Sequence, residues 1–244
     1  MFALERRPRV SDSQAAVAVH AEGHDPALLH HFAEPQQQRD AASFGMWLFL
    51  ATEVMFFGGL FCAYLIYRLK YFGEFAAASQ TLSWKLGMTN TAVLICSSLT
   101  VVLAVWASRR GKRNLLLGSL VLTIIFGVTF LGIKGIEYRE KFERHHVPGP
   151  SFSFVEKIPG HPEQMANPEH AQIYFALYFV MTGLHALHMI IGLGIFVWLL
   201  VAAWKGRFTP HYNTPIEIGG LYWHFVDIVW IYLFPLLYLI DLRK

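Results

Sequence analysis

Residues 220–238 read GLYWHFVDIVWIYLFPLLY, an apolar run long enough to cross a bilayer that nevertheless carries His224 and Asp227 in its interior. An ionisable side chain near the bilayer centre costs at least about 2.5 to 3.5 kcal/mol, so each of the two is expected to face another helix or water. His224, Asp227 and Ile231 fall at i, i+3 and i+7 and share one stripe of a helix. Pro235 lacks an N–H, which leaves the carbonyl of Ile231 without its helical donor on that same stripe. The pattern predicts a helix with a polar inner face and an aromatic outer one.

Four further runs of this kind precede it, at roughly 44–68, 88–107, 115–138 and 171–204, and the last extends over 216–240. Each nears or exceeds the ~20 residues that span a bilayer. With 55% hydrophobic and 15% charged residues among 244, the chain reads as an all-α polytopic membrane helix bundle of five transmembrane helices. A β-barrel would show alternating segments of about ten residues, and these runs are continuous. Residues 1–40 form a polar tail, and residues 41–244 a membrane domain with an external loop at about 139–169.

The formal net charge of +3 is spread over loops and argues for neither nucleic acid nor an acidic substrate. Arg109, Arg110, Lys112 and Arg113 form the densest basic cluster beside a span and mark the cytoplasmic side. Five spans then put the N-terminus inside and the C-terminus and the 139–169 loop outside, where Arg139, Lys141 and Arg144 are interleaved with Glu137, Glu140 and Glu143. Cys62 and Cys96 fall within spans, so no disulfide framework is indicated and a buried apolar role is expected. No cleavable signal is expected ahead of the first span. The tail holds His20, His24, His30 and His31; without Cys or regular ligand spacing, a solvated tail outweighs a metal site.

Glu53 sits in the first span among Phe49, Phe56, Phe57 and Phe61, about 14 Å of helix past Phe44 and hence near mid-membrane. Burial disfavours the charged carboxyl, so a neutral Glu53 tying two helices together stands beside a proton-handling one. The second span offers Cys96, Ser97, Ser98 and Thr100, and the third Ser119, Thr123 and Gly127, small residues that let helices approach and bond across the contact. Lys134 ends the third span with Glu137 three residues on, which reads as a snorkelling cation with a helical partner. Pro148, Gly149, Pro150, Pro159, Gly160, Pro162 and Pro168 crowd the next loop and argue against regular structure there, leaving either a segment docked on a partner or disorder.

His185 and His188 share a face of the fourth span. They are read as haem or metal ligands, as partners of a carboxylate, or as hydrogen-bonding groups between helices. A bis-His haem would require His224 as the second ligand, so at most one such site is possible. No phosphate loop, HExxH, CxxC or GxSxG motif is present, and nothing suggests autonomous catalysis.

Taken together, ATEVMFF around Glu53, NTAVLICSSLT in the second span, FLGIKGIEY closing the third, TGLHALH in the fourth and YWHFVDIVWIYLF in the fifth resemble subunit III of the haem-copper respiratory oxidases. The matches keep the family's order and extend over about residues 45–238. The resemblance implies an accessory core subunit of a bacterial proton-pumping cytochrome c oxidase. Such a subunit is non-catalytic and has no redox centre of its own, haem and copper being held by partner subunits I and II. It implies support of proton uptake, stabilisation of the catalytic subunit, bound phospholipid, and placement in the bacterial inner membrane, with association to other respiratory complexes possible.

By position, Glu53 is the family's buried carboxyl and His188 its partner; His224 and Asp227 are the motif pair of the last span, with His185, Lys134 and Glu137 as further polar core. The seven-helix form has two spans ahead of this region and Gln where Lys134 stands, which points to a five-span bacterial enzyme. Phospholipid is expected between the first two spans and the last three, near Trp47, Arg68, Lys85 and Trp223. Subunit III of a quinol oxidase and the accessory subunit of nitric oxide reductase are close alternatives. A b-type haem carrier and an ion transporter using Glu53, Lys134 and Asp227 are alternatives of other classes.

Overall fold

The computed structural model describes residues 32, 34–150, 152–209 and 212–240; the four tail histidines lie outside them. The described part of residues 1–41 contains the start of helix α1 (Pro35–Lys70), where Gln36 Nε2 donates to Asp40 at 3.0 Å. After α1 come a short α2 (Phe72–Gln80), α3 (Trp84–Arg109), α4 (Arg113–Glu143), strands β1 (Lys157–Ile158) and β2 (His161–Met165), α5 (Pro168–Trp204) and α6 (Thr214–Tyr238). Among the described residues, five helices are long and apolar enough to cross a membrane: α1, α3, α4, α5 and α6.

From residue 42 on, α3, α4, α5 and α6 form a closed ring in which α3 lies along α4 and α6, and α5 along the same two. Without a hydrophobic drive between helices in lipid, close approach and hydrogen bonds must supply the contact. The Thr100 and Thr123 hydroxyls meet at 2.7 Å between α3 and α4. Trp223 of α6 lies in a slot made by Gly127 and Gly192, where a Cβ on either glycine would come within 2.9 Å of its ring atoms or closer. Its Nε1 donates to Ser97 at 3.0 Å, and Trp230 Nε1 donates to Thr91 at 3.1 Å.

The first helix stands apart. Among the described residues, no Cα of α1 comes within 8 Å of a Cα in another helix or strand, so its contacts run through large side chains. Phe57 reaches Phe225, and Tyr64 packs on Phe75 and Tyr174. The division expected between the first two spans and the last three therefore falls after the first span instead, because the small residues of α3 commit it to α4 and α6.

The C-terminal end of α6 shows why α1, α2 and α5 converge there. A helix end leaves its last carbonyls without backbone donors. Tyr64 of α1 donates to the Leu236 carbonyl at 2.8 Å, while Ser79 of α2 and Tyr174 of α5 donate to that of Leu237 at 2.9 and 2.8 Å. Pro235 sits inside α6 without ending it.

Several expectations are overturned. The aromatic face of α6 is the inner one: Trp223 and Trp230 are fully buried, whereas Ile231 on the His224 stripe is 45% exposed. The indoles each have a donor to satisfy and a slot to fill, which only the bundle interior provides. Cys62 and Cys96 are free and exposed on the helix surfaces, not buried. Helix α2 lies in a stretch without a predicted element; its Ala76–Ala77–Ala78 run carries no periodicity, yet Phe75 to Ser79 are buried.

The 139–169 loop is not structureless either. Its breakers punctuate a two-stranded antiparallel hairpin, with Gly160 at φ +79° in the turn, a left-handed conformation that glycine adopts without a Cβ clash. The loop docks on its own bundle. Ile158 packs over Gly73 of α2, and Phe154 and Phe175 enclose His146 at ring distances of 5.6 and 4.9 Å. Burial, together with the charges of Lys141 and Arg144, pushes the His146 imidazole down to about 4. Asn167 caps α5 by accepting from the Glu169 N–H at 3.0 Å, with Pro168 in the first helical position.

Candidate functional site

Glu53 of α1 and His188 of α5 meet across the gap that keeps the two backbones apart, His188 Nε2 lying 3.2 Å from Glu53 Oε2. The other ring nitrogen, Nδ1, is 2.8 Å from the Leu184 carbonyl, which can only accept. Nδ1 therefore carries a hydrogen, and in a neutral ring Nε2 is the acceptor. The carboxyl facing it then holds the proton. In the charged alternative both nitrogens donate to acceptors and the carboxylate is bare. Either way the pair is electrically neutral and shares one mobile proton.

The surroundings fix both groups. Phe57 meets the His188 ring edge-on at 5.4 Å, and Tyr222 donates to the His188 carbonyl at 3.0 Å. Each side chain keeps partial exposure, 13% for His188 and 19% for Glu53. The pair is thus reachable from the α1 flank.

Lys134 is buried, at 4% exposure, which corrects the reading of a snorkelling cation. Its ammonium donates to Glu137 at 2.9 Å, to Tyr238 at 3.0 Å and to Tyr178 at 3.1 Å. Tyr238 in turn donates to the other Glu137 oxygen at 2.6 Å. With three acceptors matching its three protons, Lys134 has no need to reach water. The sequence reading missed the tyrosines. Their signal was the position of Tyr238 at the end of the 220–238 stretch and of Tyr178 about one turn ahead of Thr182.

His224 and Asp227 line a groove between α3 and α6, not the bundle interior. Ser98, read as a packing residue, lies 2.7 Å from His224 Nδ1. His185 is elsewhere, enclosed between Phe130 and Trp230 at 5.4 and 5.3 Å, with neither nitrogen hydrogen-bonded. Among the described residues the Glu53–His188, Lys134–Glu137 and Ser98–His224 contacts are separate, while His185 and Lys134 share the Trp230 ring at 5.3 and 5.2 Å. Both nitrogens of His188 are engaged, and among the described residues no three His, Cys, Asp or Glu side chains gather as metal ligands.

Of the residues expected at headgroups, Trp47 is 62% exposed, Lys85 is exposed beside the Trp84 ring at 6.0 Å, and Arg68 is half-buried. Trp223 is corrected: it is fully enclosed and touches no surface.

A sequence model described as cytochrome c oxidase subunit III matches residues 30–145 and 168–241. The chain belongs to the cytochrome c oxidase subunit III family. A probable cytochrome c oxidase subunit 3 of Nocardia farcinica is 33% identical over 198 residues, covering 81% of this chain and 87% of that one. The cytochrome c oxidase subunit 3 of Gallus gallus is 31% identical over 201 residues, covering 80% and 68%. A probable quinol oxidase subunit 3 of Staphylococcus haemolyticus is 30% identical over 201 residues, covering 81% and 88%. This subunit III is a multi-pass membrane protein of a haem-copper oxidase complex, and its hairpin loop lies in the interval that the family match leaves out.

Proposed function

We propose that the chain is the accessory subunit III of a bacterial proton-pumping cytochrome c oxidase. It lies in the inner membrane with its N-terminus cytoplasmic and its C-terminus outside. It carries no redox centre, packs against subunits I and II, and supports proton uptake into the catalytic subunit. The observation that carries this reading is the neutral Glu53–His188 pair: a mid-membrane carboxyl that shares one proton with an imidazole and is open on one flank. Shifting the shared proton between carboxyl and imidazole leaves no net charge in hydrocarbon, and a proton taken up from one side is accommodated as another leaves on the other. The phospholipid of this reading lies along α1, near Trp47, Arg68 and Lys85, where among the described residues large side chains bridge the backbone gap.

Purification in mild detergent tests the assignment. The chain is expected to bring down larger polypeptides holding all the haem and copper, and to show no haem spectrum once separated from them. A haem that stays with the isolated chain would sink the reading. The relative from Staphylococcus haemolyticus supports a second reading, in which the complex is a quinol oxidase. Comparing turnover with reduced cytochrome c and with a quinol decides between the two donors.

A further inference from the structure

Two hollows of about 420 and 400 Å³ lie along the outer flank of α3 and α6 and share Val102 and His224, so they form one groove. Arg109 and Glu217 bridge one end of it at 2.8 Å. Farther in, Ser98 meets His224, and beyond them Asp227 lines the wall. Asp227 is 3% exposed, and neither of its oxygens has a hydrogen-bond partner. Along α6 it stands about 20 Å from Thr214 and about 16 Å from Tyr238, the middle of the span.

A buried carboxyl at that depth requires a donor, and the nearest one in the chain, the Ser98 hydroxyl, is engaged with His224 Nδ1 at 2.7 Å and bonds neither Asp227 oxygen. Lipid tails carry no donor, and headgroup donors end at the membrane surfaces. The remaining walls, Leu94, Ile95, Leu99 and Ile228 among them, are apolar and offer water little to bond. A second copy would present the same carboxyl and the same engaged Ser98–His224 pair. What fits is an apolar helix with one polar side chain at mid-depth. We propose that this groove seats a membrane-spanning helix of a partner oxidase subunit, which donates a hydroxyl, amide or indole hydrogen to Asp227. The inference rests on the subunit reading above and names the face through which the association is made.

The test uses the intact complex. A photo-activatable side chain placed at Leu99 or at Ile228, on opposite walls of the groove, is expected to give an adduct with an oxidase polypeptide, mapping to a spanning segment with a donor residue. In parallel, Asp227→Leu is expected to lower the fraction of chain retained through purification about tenfold, whereas Asp227→Asn, which keeps an acceptor oxygen, stays within about twofold of the parent. Adducts with lipid alone, or with a second copy of this chain, would overturn the proposal. So would equal retention of Asp227→Leu and the parent. If the chain co-purifies with the oxidase while the groove positions give no protein adduct, the docking face is wrong and the subunit reading stands. If no oxidase polypeptide co-purifies at all, the subunit reading fails, and this inference with it.

Discussion

Lys134 and Glu137 form an ion pair 2.9 Å apart at 5% and 1% side-chain exposure, one helical turn from each other on α4. Such a pair contributes little net stability relative to an apolar replacement, because desolvation offsets the attraction. Removing one partner is different. Lys134→Met is expected to cost about 3–5 kcal/mol, since it leaves the Glu137 carboxyl buried without its counter-ion. Lys134→Met combined with Glu137→Leu should recover most of that loss. Thermal inactivation of the detergent-solubilised complex checks both; a double variant no better than the single one would mean that the tyrosine contacts, not the charge, hold the cluster.

The slot around Trp223 predicts a contrast among glycines. In Gly127→Ala or Gly192→Ala the new methyl would lie 2.8–2.9 Å from the Trp223 ring, which cannot retreat without losing its bond to Ser97. Overpacking of this kind costs about 1–3 kcal/mol. Gly58 and Gly59 meet nothing within 4 Å, so alanine there should be neutral or mildly stabilising, by up to about 1 kcal/mol. Melting curves of the four variants, followed by tryptophan fluorescence, separate the two groups.

Much of this architecture was legible in the sequence because the spans are unbroken apolar runs, and run length alone marks a bilayer crossing. The Glu53–His188 contact was legible for a related reason: two groups excluded from lipid, at coincident depth, have few partners to choose from. The α6 orientation was not legible. A periodicity argument sends the charged stripe inward, but it cannot weigh an indole N–H that needs Ser97 or Thr91 against a carboxyl that faces a groove. Lys134 was misread because its acceptors Tyr178 and Tyr238 come from helices 44 and 104 residues away. Helix α2 and the hairpin carry too few residues for a periodic signal, and their positions are set by packing on α5 and one another.

His146 gives the loop between α4 and α5 a pH response. Its imidazole sits at about 4 when packed against Phe154 and Phe175, whereas an unpacked histidine titrates near 6.5. Between those values the unpacked loop takes up a proton that the packed one refuses. Packing is therefore fully favoured above about pH 6.5 and weakens as the pH falls through that window. Proteolysis of the 146–167 segment should quicken at pH 5 relative to pH 7.5, after correction for protease activity on denatured chain. His146→Leu, which has no proton to bind, should flatten the difference; an unchanged difference would assign it to other groups.

The Glu53–His188 contact itself is open to a double-mutant cycle. Hydrogen bonds between helices in membranes average only about 0.6 kcal/mol, with a ceiling near 1.7, so neither Glu53→Ala nor His188→Ala is expected to unfold the subunit. Each should instead loosen α1, because among the described residues no Cα of that helix comes within 8 Å of another helix or strand and its contacts run through side chains. The expected readouts are a lower retention of subunit III through purification and a shorter working life of the oxidase under turnover. If the contact is real, the double variant should lose no more than about the larger single effect, since the second substitution removes a partner already gone. His188→Gln tests the proton as distinct from the tie, because its amide reaches the position of Nε2 and keeps a hydrogen bond to Glu53 while removing the imidazole. Retention should then stay near that of the parent while proton uptake slows. Additive effects in the cycle would show that the two residues act separately, and full proton uptake in His188→Gln would leave the pair a structural tie.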